Sequence, residues 1–260
     1  MLDICLLGTG GMMPMPSRFL TAMLARLNGR LALIDCGEGT QVTMKMLGWG
    51  FKAIDVICFT HFHADHISGL PGLLLTIGNA GRTEPLTLIG PVGLQRIVEG
   101  LTLIAPELPF PIEYIELTQD APNPISVGAF EIHHCPADHM VKCFAYRIDL
   151  KRKGKFDVKK AERLKLPKPL WNKLQKEGSV EHEGKTYTAD MGENRKGISV
   201  AYCTDSRPVD RITKFVEGVQ LFICEGMYGE EEKKQKAREN KHMLFSEAAR
   251  MAKNANAERL

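Results

Sequence analysis

The densest group of side chains that could carry chemistry is an H-x-H-x-D-H run from His61 to His66, directly after the apolar residues 56–59. Three imidazoles and a carboxylate in six residues are costly to bury in an apolar core. In an extended chain, alternation would send His61, His63 and Asp65 to one side and His66 to the other. Such ligands suit Zn²⁺, and paired ions about 3.5–4 Å apart can share one hydroxide. The run predicts binuclear hydrolysis; the alternative is a histidine-rich surface loop.

Further ligands would have to come from other parts of the chain. His139 precedes the apolar residues 143–148, and Asp205 follows residues 199–204. His139 would complete one metal site, and the Asp205 carboxylate would bridge two metals. Each residue is a weak signal alone, because a lone histidine is more often a core or surface residue and a strand-end aspartate usually serves a turn or a helix cap.

The elements that must position these residues alternate between short apolar runs and helical stretches, which indicates an α/β protein built around sheets. The apolar runs predict strands over residues 4–7, 31–35, 56–60, 86–89, 112–117, 130–135, 143–148, 198–203 and 221–224. Helical spacing predicts helices over residues 39–47, 69–79, 93–104, 230–241 and 245–254. The candidate ligands lie near the ends of the predicted strands.

Composition fits one globular domain. The chain has 260 residues, of which 44% are hydrophobic and 25% charged, and these values argue against disordered, collagen-like and coiled-coil chains. No apolar stretch reaches the roughly 18–20 residues of a membrane span, and the first residues do not resemble a secretory signal. Seven cysteines without a C-x-x-C pair suit buried thiols in a reducing compartment. We therefore expect a cytoplasmic protein.

Residues 151–188 interrupt the α/β alternation with basic helical pieces and predict an insertion that projects from a single domain spanning residues 1–260. Residues 151–176 carry eleven Lys or Arg against two acidic residues, a local charge of +9 that leaves −6 for the rest of the chain. This asymmetry indicates contact with a polyanion, with a solvated helical face as the alternative. Trp171 would pack the insertion or stack on a base, and packing is the commoner role for one tryptophan.

These motifs together resemble the metallo-β-lactamase superfamily and, within it, the ribonuclease Z family of tRNA 3′-end processing endonucleases. The H-x-H-x-D-H run is specific for the superfamily. The D-C-G-E-x-T-Q context at residues 35–41 and the H-x-x-G-L-P-G-L context at residues 66–73 are typical of the ribonuclease Z branch. The resemblance continues through residues 8–11, 138–147, 203–207, 224–226 and 241–243. It implies an α/β (α+β) fold, the αββα sandwich, with a basic arm inserted.

The resemblance implies a ligand set for two zinc ions bridged by Asp205: His61, His63 and His139 for the first ion, and Asp65 and His66 for the second. The family's final ligand is a histidine on a strand after the last helix, where this sequence stops. The second metal is therefore expected to bind weakly, to take water instead, or to be absent. Manganese or iron would also fit these ligand types.

The resemblance also implies catalytic roles. A metal-activated hydroxide would attack the phosphodiester, and Asp65 would orient or deprotonate the water. Glu225 and His242 correspond to a Glu and a His that assist the leaving 3′-oxygen. Asp35 is expected to orient a ligand histidine instead of binding metal. The predicted function is a zinc-dependent endoribonuclease that acts on precursor tRNA 3′ trailers.

The basic insertion corresponds in position to the arm with which the family binds tRNA, and its cations would supply affinity for phosphates without reading sequence. The candidate RNA contacts are Lys151, Arg152, Lys153, Lys155, Lys159, Lys160, Arg163, Lys165 and Lys168. Two departures from the family pattern stand out. Lys168 and Pro169 replace a Gly-Pro pair at the arm tip, and the P-x-K-x-R-N loop lacks its lysine and asparagine at residues 14–19.

Two alternative functions follow from these departures. The altered loop favours a metallo-β-lactamase-fold hydrolase of another phosphodiester or ester, and the missing final ligand favours a catalytically inactive RNA-binding relative. A serine hydrolase or a nucleotide triphosphatase is disfavoured, because the sequence holds neither G-x-S-x-G nor G-x-x-x-x-G-K-[ST]. The expected partners are precursor tRNA or another RNA or phosphodiester, a second copy in a homodimer, and no membrane.

Overall fold

The computed structural model describes residues 1–105, 107–150, 157–164, 166–188 and 197–260. They form two compact units, one made of Met1–Asp149 with Ser199–Leu260 and one made of Leu150–Ile198. Among the helices within these ranges, none combines the length and the apolar character that crossing a membrane requires.

The first sheet of the larger unit has six strands in sequential order: β1 (Leu2–Gly8), β2 (Ala22–Leu27), β3 (Arg30–Ile34), β4 (Ile54–Cys58), β5 (Leu86–Pro91) and β6 (Ile112–Leu117). The first three strands pair antiparallel, and β3 to β6 pair parallel. The helices of this half are α1 (Thr40–Leu47), the single turn α2 (Ala64–Ile67), α3 (Leu70–Asn79) and α4 (Leu94–Leu101), followed by a 3-10 turn (Thr102–Ile104). Side chains of α1, α3 and α4 share one apolar core with the sheet.

The second sheet combines five strands in the order β13-β12-β9-β8-β7: β7 (Ile125–Val127), β8 (Phe130–Pro136), β9 (Phe144–Leu150), β12 (Ile198–Cys203) and β13 (Leu221–Cys224). Its helices are α7 (Asp210–Phe215), α8 (Lys234–Glu239), preceded by a 3-10 turn (Glu231–Lys233), and α9 (Phe245–Asn254). Side chains of α7 and α9 form a second apolar core with β12 and β13. Beyond α9, Arg259 accepts a backbone hydrogen bond from Phe222 of β13.

The two sheets meet where β9 approaches the end of β4. The buried Tyr146 hydroxyl donates to the carbonyl of Phe59 at 2.7 Å, and the amide of Phe144 donates to the carbonyl of Thr60 at 3.0 Å. Each sheet packs against its own helices and contacts the other sheet through β9 and the end of β4. This arrangement is the αββα sandwich and confirms the predicted fold class.

The smaller unit holds α5 (Val158–Arg163), α6 (Lys168–Glu177) and a hairpin of β10 (Ser179–His182) and β11 (Lys185–Thr188). Trp171 packs against its small core, and the indole N–H donates to the carbonyl of Leu166 at 2.7 Å. Four of the candidate RNA contacts are exposed in this unit: Lys159, Lys160, Arg163 and Lys168. The other five, Lys151, Arg152, Lys153, Lys155 and Lys165, lie outside the described residues.

All nine predicted strands are present, but several elements were not predicted. Strand β2 is composed of Ala, Met, Leu and Arg, residues with no strand preference, and pairing with β1 and β3 determines its conformation. Short elements such as β7, α2 and α7 have too few residues for a periodic pattern. The predicted helices over residues 93–104 and 230–241 are each split into an α-helix and a 3-10 turn.

We predict that Tyr146→Phe lowers the free energy of unfolding by about 1–3 kcal/mol, because the carbonyl of Phe59 would remain buried without its donor. Urea denaturation followed by circular dichroism measures the loss. Tyr114→Phe, at a half-buried position of the edge strand β6, is the matched control and should change stability less. Equal effects of the two variants would contradict a special role for the hydroxyl between the sheets.

Candidate metal centre

The H-x-H-x-D-H run leaves the end of β4 and brings its first two histidines beside residues from the second sheet. His61 Nε2 lies 2.9 Å from His63 Nδ1, which lies 3.3 Å from His139 Nε2. The Asp205 carboxylate lies 3.6 Å from His61 Nε2 and 3.8 Å from His139 Nε2. One donor atom from each of these four residues falls within 4.8 Å of the others. The structure therefore brings together the residues assigned to the first metal.

The carboxylate of Asp35 anchors the loop that carries the histidine run. Its fully buried carboxylate accepts hydrogen bonds from the backbone amide of Thr60 at 2.8 Å and from the Thr60 hydroxyl at 2.8 and 3.0 Å. One Asp35 oxygen also lies 2.8 Å from His66 Nδ1. This contact leaves His66 Nε2 to face the centre, which is how an outer carboxylate orients a ligand imidazole.

Two glycines allow the loops to approach closely. A Cβ atom at Gly37 would lie 2.3 Å from the carbonyl oxygen of Asp65, and a Cβ atom at Gly69 would lie 2.2 Å from the carbonyl oxygen of Gly37. The amide of Gly69 donates to Cys36, and the amide of Cys36 donates to His66. Only residues without a side chain fit here, because both close contacts are with backbone oxygens.

His139 and Asp205 are positioned by contacts between the loop after β8 and the loop after β12. The amide of Asp138 donates to the Ser206 hydroxyl at 3.0 Å, and the amide of Arg207 donates to the carbonyl of Asp138 at 2.9 Å. Asp205 adopts a positive φ of 36°, and its carboxylate accepts a hydrogen bond from Thr204 at 2.6 Å. The two residues are thus fixed by one shared network, although they are far apart in sequence.

Asp65 and His66 form the adjoining part of the site. His66 Nε2 lies 3.5 Å from Asp205 and 3.7 Å from Asp65. The other contact of the Asp65 carboxylate is the amide of Met12, which donates to it at 3.2 Å. Both residues belong to α2, so the prediction that strand alternation would separate Asp65 from His66 is wrong. A helical turn, not an extended chain, places the Asp65 carboxylate beside His66 Nε2, which in turn faces Asp205.

Glu225 and His242 lie side by side at the end of β13 and after α8. His242 Nδ1 is 3.2 and 3.1 Å from the two oxygens of Glu225, and the Glu225 carboxylate also accepts the amide of Ser206 at 2.6 Å. The His242 ring lies 5.4 Å from the ring of His139. Donor atoms of Asp205, Glu225 and His242 also fall within 4.8 Å of one another. The pair is therefore part of the same site.

Burial and mutual charge shift the protonation of these groups in opposite directions. Burial, reinforced by the charge of His66, lowers the pKa of His61 to about 2, which keeps its imidazole neutral. Burial opposes a charge on His66, but the Asp35 and Asp205 carboxylates raise its pKa to about 10. Burial likewise opposes a charge on Asp205, but the hydrogen bond and charge of His66 hold its pKa well below the usual range. Asp205 is thus a carboxylate that faces the charged imidazole of His66 and the neutral imidazole of His61.

Sequence reasoning missed the polar groups that support the site. Thr60 donates to Asp35, the amide of Ser206 donates to Glu225, and the amide of Met12 donates to Asp65. Thr60 was detectable, because it sits between an apolar strand and the histidine run. Ser206 lies within the motif at residues 203–207, but that motif does not indicate a backbone hydrogen bond to Glu225, and the Met12 amide has no side-chain signature.

Solved structures share this fold. The short form of human tRNase Z is 24% identical, with a TM-score of 0.71 over 99% of this chain and 90% of that chain. The metallo-β-lactamase fold protein YhfI from Bacillus subtilis is 19% identical, with a TM-score of 0.69 over 99% of this chain and 83% of that chain. The sandwich with its histidine and aspartate cluster thus defines a metallo-β-lactamase-fold protein.

Curated relatives narrow this class. The ribonuclease Z of Agathobacter rectalis is 57% identical over 100% of this chain and 86% of its own length, and that of Clostridium acetobutylicum is 55% identical with the same coverage. A family model described as Anti-Pycsar protein Apyc1 matches residues 2–98. The chain belongs to the ribonuclease Z family, and the class that the sequence predicted, a metal-dependent hydrolase, is confirmed.

We predict that Asp35→Asn lowers the pKa of His66 by roughly 1–3 in metal-free protein, because the opposing charge is lost while burial remains. NMR titration of the imidazole resonances after chelator treatment measures this. Asp149→Asn is the matched control, since Asp149 lies 3.4 Å from His133, outside the cluster. An unchanged His66 titration in Asp35→Asn would show that Asp35 does not control its charge.

Proposed function

We propose that the chain is a tRNA-processing endoribonuclease that hydrolyses a phosphodiester bond where the 3′ trailer joins precursor tRNA. The observation that carries the proposal is the convergence of His61, His63, His139 and Asp205 at one point in a ribonuclease Z family member. The same activity is supported by the names of the curated relatives, each a ribonuclease Z, and by the similarity to human tRNase Z.

The donor set fits divalent metal. Three imidazoles and a carboxylate match zinc preferences, and the lowered pKa of His61 leaves it neutral, as a ligand must be. In this proposal His61, His63 and His139 would hold one Zn²⁺, Asp65 and His66 would hold a second, and Asp205 would add a carboxylate ligand. Such a pair supplies Lewis-acid chemistry: it favours deprotonation of water near neutral pH and neutralises charge on a phosphoryl oxygen.

The side chains around this donor set move and hold protons. Asp65, fixed by the amide of Met12, orients the attacking water and accepts its proton. Burial would lower the pKa of His242, but the hydrogen bond and charge of Glu225 raise it, which favours a protonated ring. His242 therefore donates a proton to the leaving 3′-oxygen, and Glu225 keeps the imidazolium oriented.

The smaller unit is proposed to be the RNA-binding arm. It and the larger unit are proposed to form a single domain. Lys159, Lys160, Arg163 and Lys168 are exposed on it, and exposed cations gain affinity from phosphates by releasing counterions. Trp171 stabilises the arm by packing and is not proposed to contact RNA. A homodimer, the commonest closed assembly, and a cytoplasmic location, which the seven free cysteines suit, complete the proposal.

A second candidate function is hydrolysis of a different phosphodiester. The loop over residues 14–19 lacks the family's lysine and asparagine, and the Apyc1 model matches the part of the chain that contains this loop. Assays on precursor tRNA beside bis(p-nitrophenyl) phosphate separate the two functions. Cleavage of precursor tRNA at the trailer junction supports the first proposal, and activity on the small diester alone would contradict it.

His63→Ala should lower kcat/KM on precursor tRNA by roughly 10³-fold or more, because loss of a direct ligand exceeds the 10–100-fold cost of losing an outer partner. Bound metal, measured by mass spectrometry, should fall in parallel. His133→Ala, which alters a histidine outside the cluster, is the control. Wild-type turnover and metal content in His63→Ala would remove this ligand assignment.

Changing Lys159, Lys160, Arg163 and Lys168 together to Gln should weaken precursor tRNA binding and flatten its dependence on salt. The slope of log affinity against log salt should fall by up to roughly 4, about 0.9 for each lost phosphate contact. Fluorescence anisotropy at several salt concentrations measures the slope. A control with four exposed lysines of the larger unit changed to Gln, at Lys45, Lys52, Lys214 and Lys253, should keep it. An unchanged slope in the arm variant would contradict the RNA-binding role.

A further inference from the structure

An exposed aromatic ring stands beside the Glu225 and His242 pair. Phe245 is the first residue of α9, three positions after His242, and its side chain is 61% exposed. Among the aromatic side chains of the ranges that the structure describes, Phe245 is the sole one that is mostly exposed.

The Phe245 ring packs against the backbone at Gly226 and lies near Gly229. A Cβ atom at Gly226 would lie 2.2 Å from Cδ1 of Phe245, and one at Gly229 would lie 3.9 Å from Cε2. The amide of Phe245 donates to the carbonyl of Tyr228 at 3.0 Å, and the amide of Tyr228 donates to Met243 at 3.3 Å. The ring therefore rests on this turn, and its remaining surface is left to solvent. A side chain that is already held in one orientation loses little conformational entropy when another ring stacks on it.

The residues beside the Phe245 ring indicate which nucleotide of the substrate would lie next to it. Gly226, which the ring contacts, directly follows Glu225, and Glu225 pairs with His242. In the proposed function this pair serves the leaving 3′-oxygen. The nucleotide that carries that oxygen, on the 5′ side of the cleaved bond, is thereby brought next to Phe245.

We propose that Phe245 stacks on the base of the nucleotide that carries the leaving 3′-oxygen. This inference rests on the proposed function and adds a substrate requirement: the base must be unpaired, because a base within a duplex cannot offer its face to a side chain. Stacking on an aromatic ring tolerates any base, since each has a π-face. The ring thus selects for single-stranded character at the cleavage site and not for sequence.

The test pairs a protein change with a substrate change. Precursor tRNA is prepared with a normal nucleotide or an abasic nucleotide on the 5′ side of the cleaved bond, and kcat/KM is measured for wild type and Phe245→Ala. On the normal substrate the variant should lose roughly 5- to 150-fold, which corresponds to one base stack. On the abasic substrate the two proteins should be equal, because the partner is already missing. Phe245→Trp should retain activity on the normal substrate.

Controls separate stacking from structural effects. Leu103→Ala removes another exposed apolar side chain, 80% exposed on the 3-10 turn after α4, and should behave as wild type on both substrates. An equal loss on both substrates in Phe245→Ala would overturn the proposal, as would a change in oligomeric state, which would assign the ring to a second copy. If wild type cleaves precursor tRNA and Phe245→Ala is unimpaired, the stack is wrong and the proposed function stands. If wild type cleaves no precursor tRNA, both are wrong.

Discussion

The buried carboxylate of Asp35 links the segments of chain on which the candidate metal centre depends. It follows β3, accepts a hydrogen bond from the amide of Thr60 just after β4, and pairs with His66 of α2. An unpaired carboxylate in a fully buried position would cost several kcal/mol. Loss of the contacts with Thr60 and His66 would therefore be strongly unfavourable. The parallel pairing of β3 and β4 brings these segments together, and the carboxylate then fixes their loops.

The same site illustrates how buried charge is balanced by neighbouring charge. Asp35 and Asp205 both face His66, and their negative charges raise the pKa of its imidazole against the effect of burial. The imidazole of His61 is instead neutral, because burial and the charge of His66 lower its pKa. Burial disfavours the charged form of both histidines, and they differ in protonation because only His66 also pairs with Asp35. Binding of a metal at His66 must displace its proton, which couples metal affinity to pH.

The sequence was sufficient for nine of the strands and for the polar residues at their ends, because their apolar runs are long enough to recognise and the H-x-H-x-D-H density is unusual. It was insufficient where geometry depends on tertiary pairing. Strand β2 has a helix-favouring composition, yet two neighbours pair with it. The turn of α2 reverses the side assigned to His66, because four residues contain no measurable period. Backbone donors such as the Met12 amide have no side-chain signature, so no motif could identify them.

The contact of Gly37 with Gly69 has a consequence for how the site could be lost. The backbone oxygens of Asp65 and Gly37 lie too close for a Cβ atom to fit on Gly37 or on Gly69. A methyl group added at either glycine would clash with the backbone and should displace α2, the short helix that carries Asp65. Every polar residue of the centre would still be present in the sequence. Such a chain would look intact in a residue inventory and yet be misaligned by an ångström or so, enough to impair a reaction that depends on near-attack geometry.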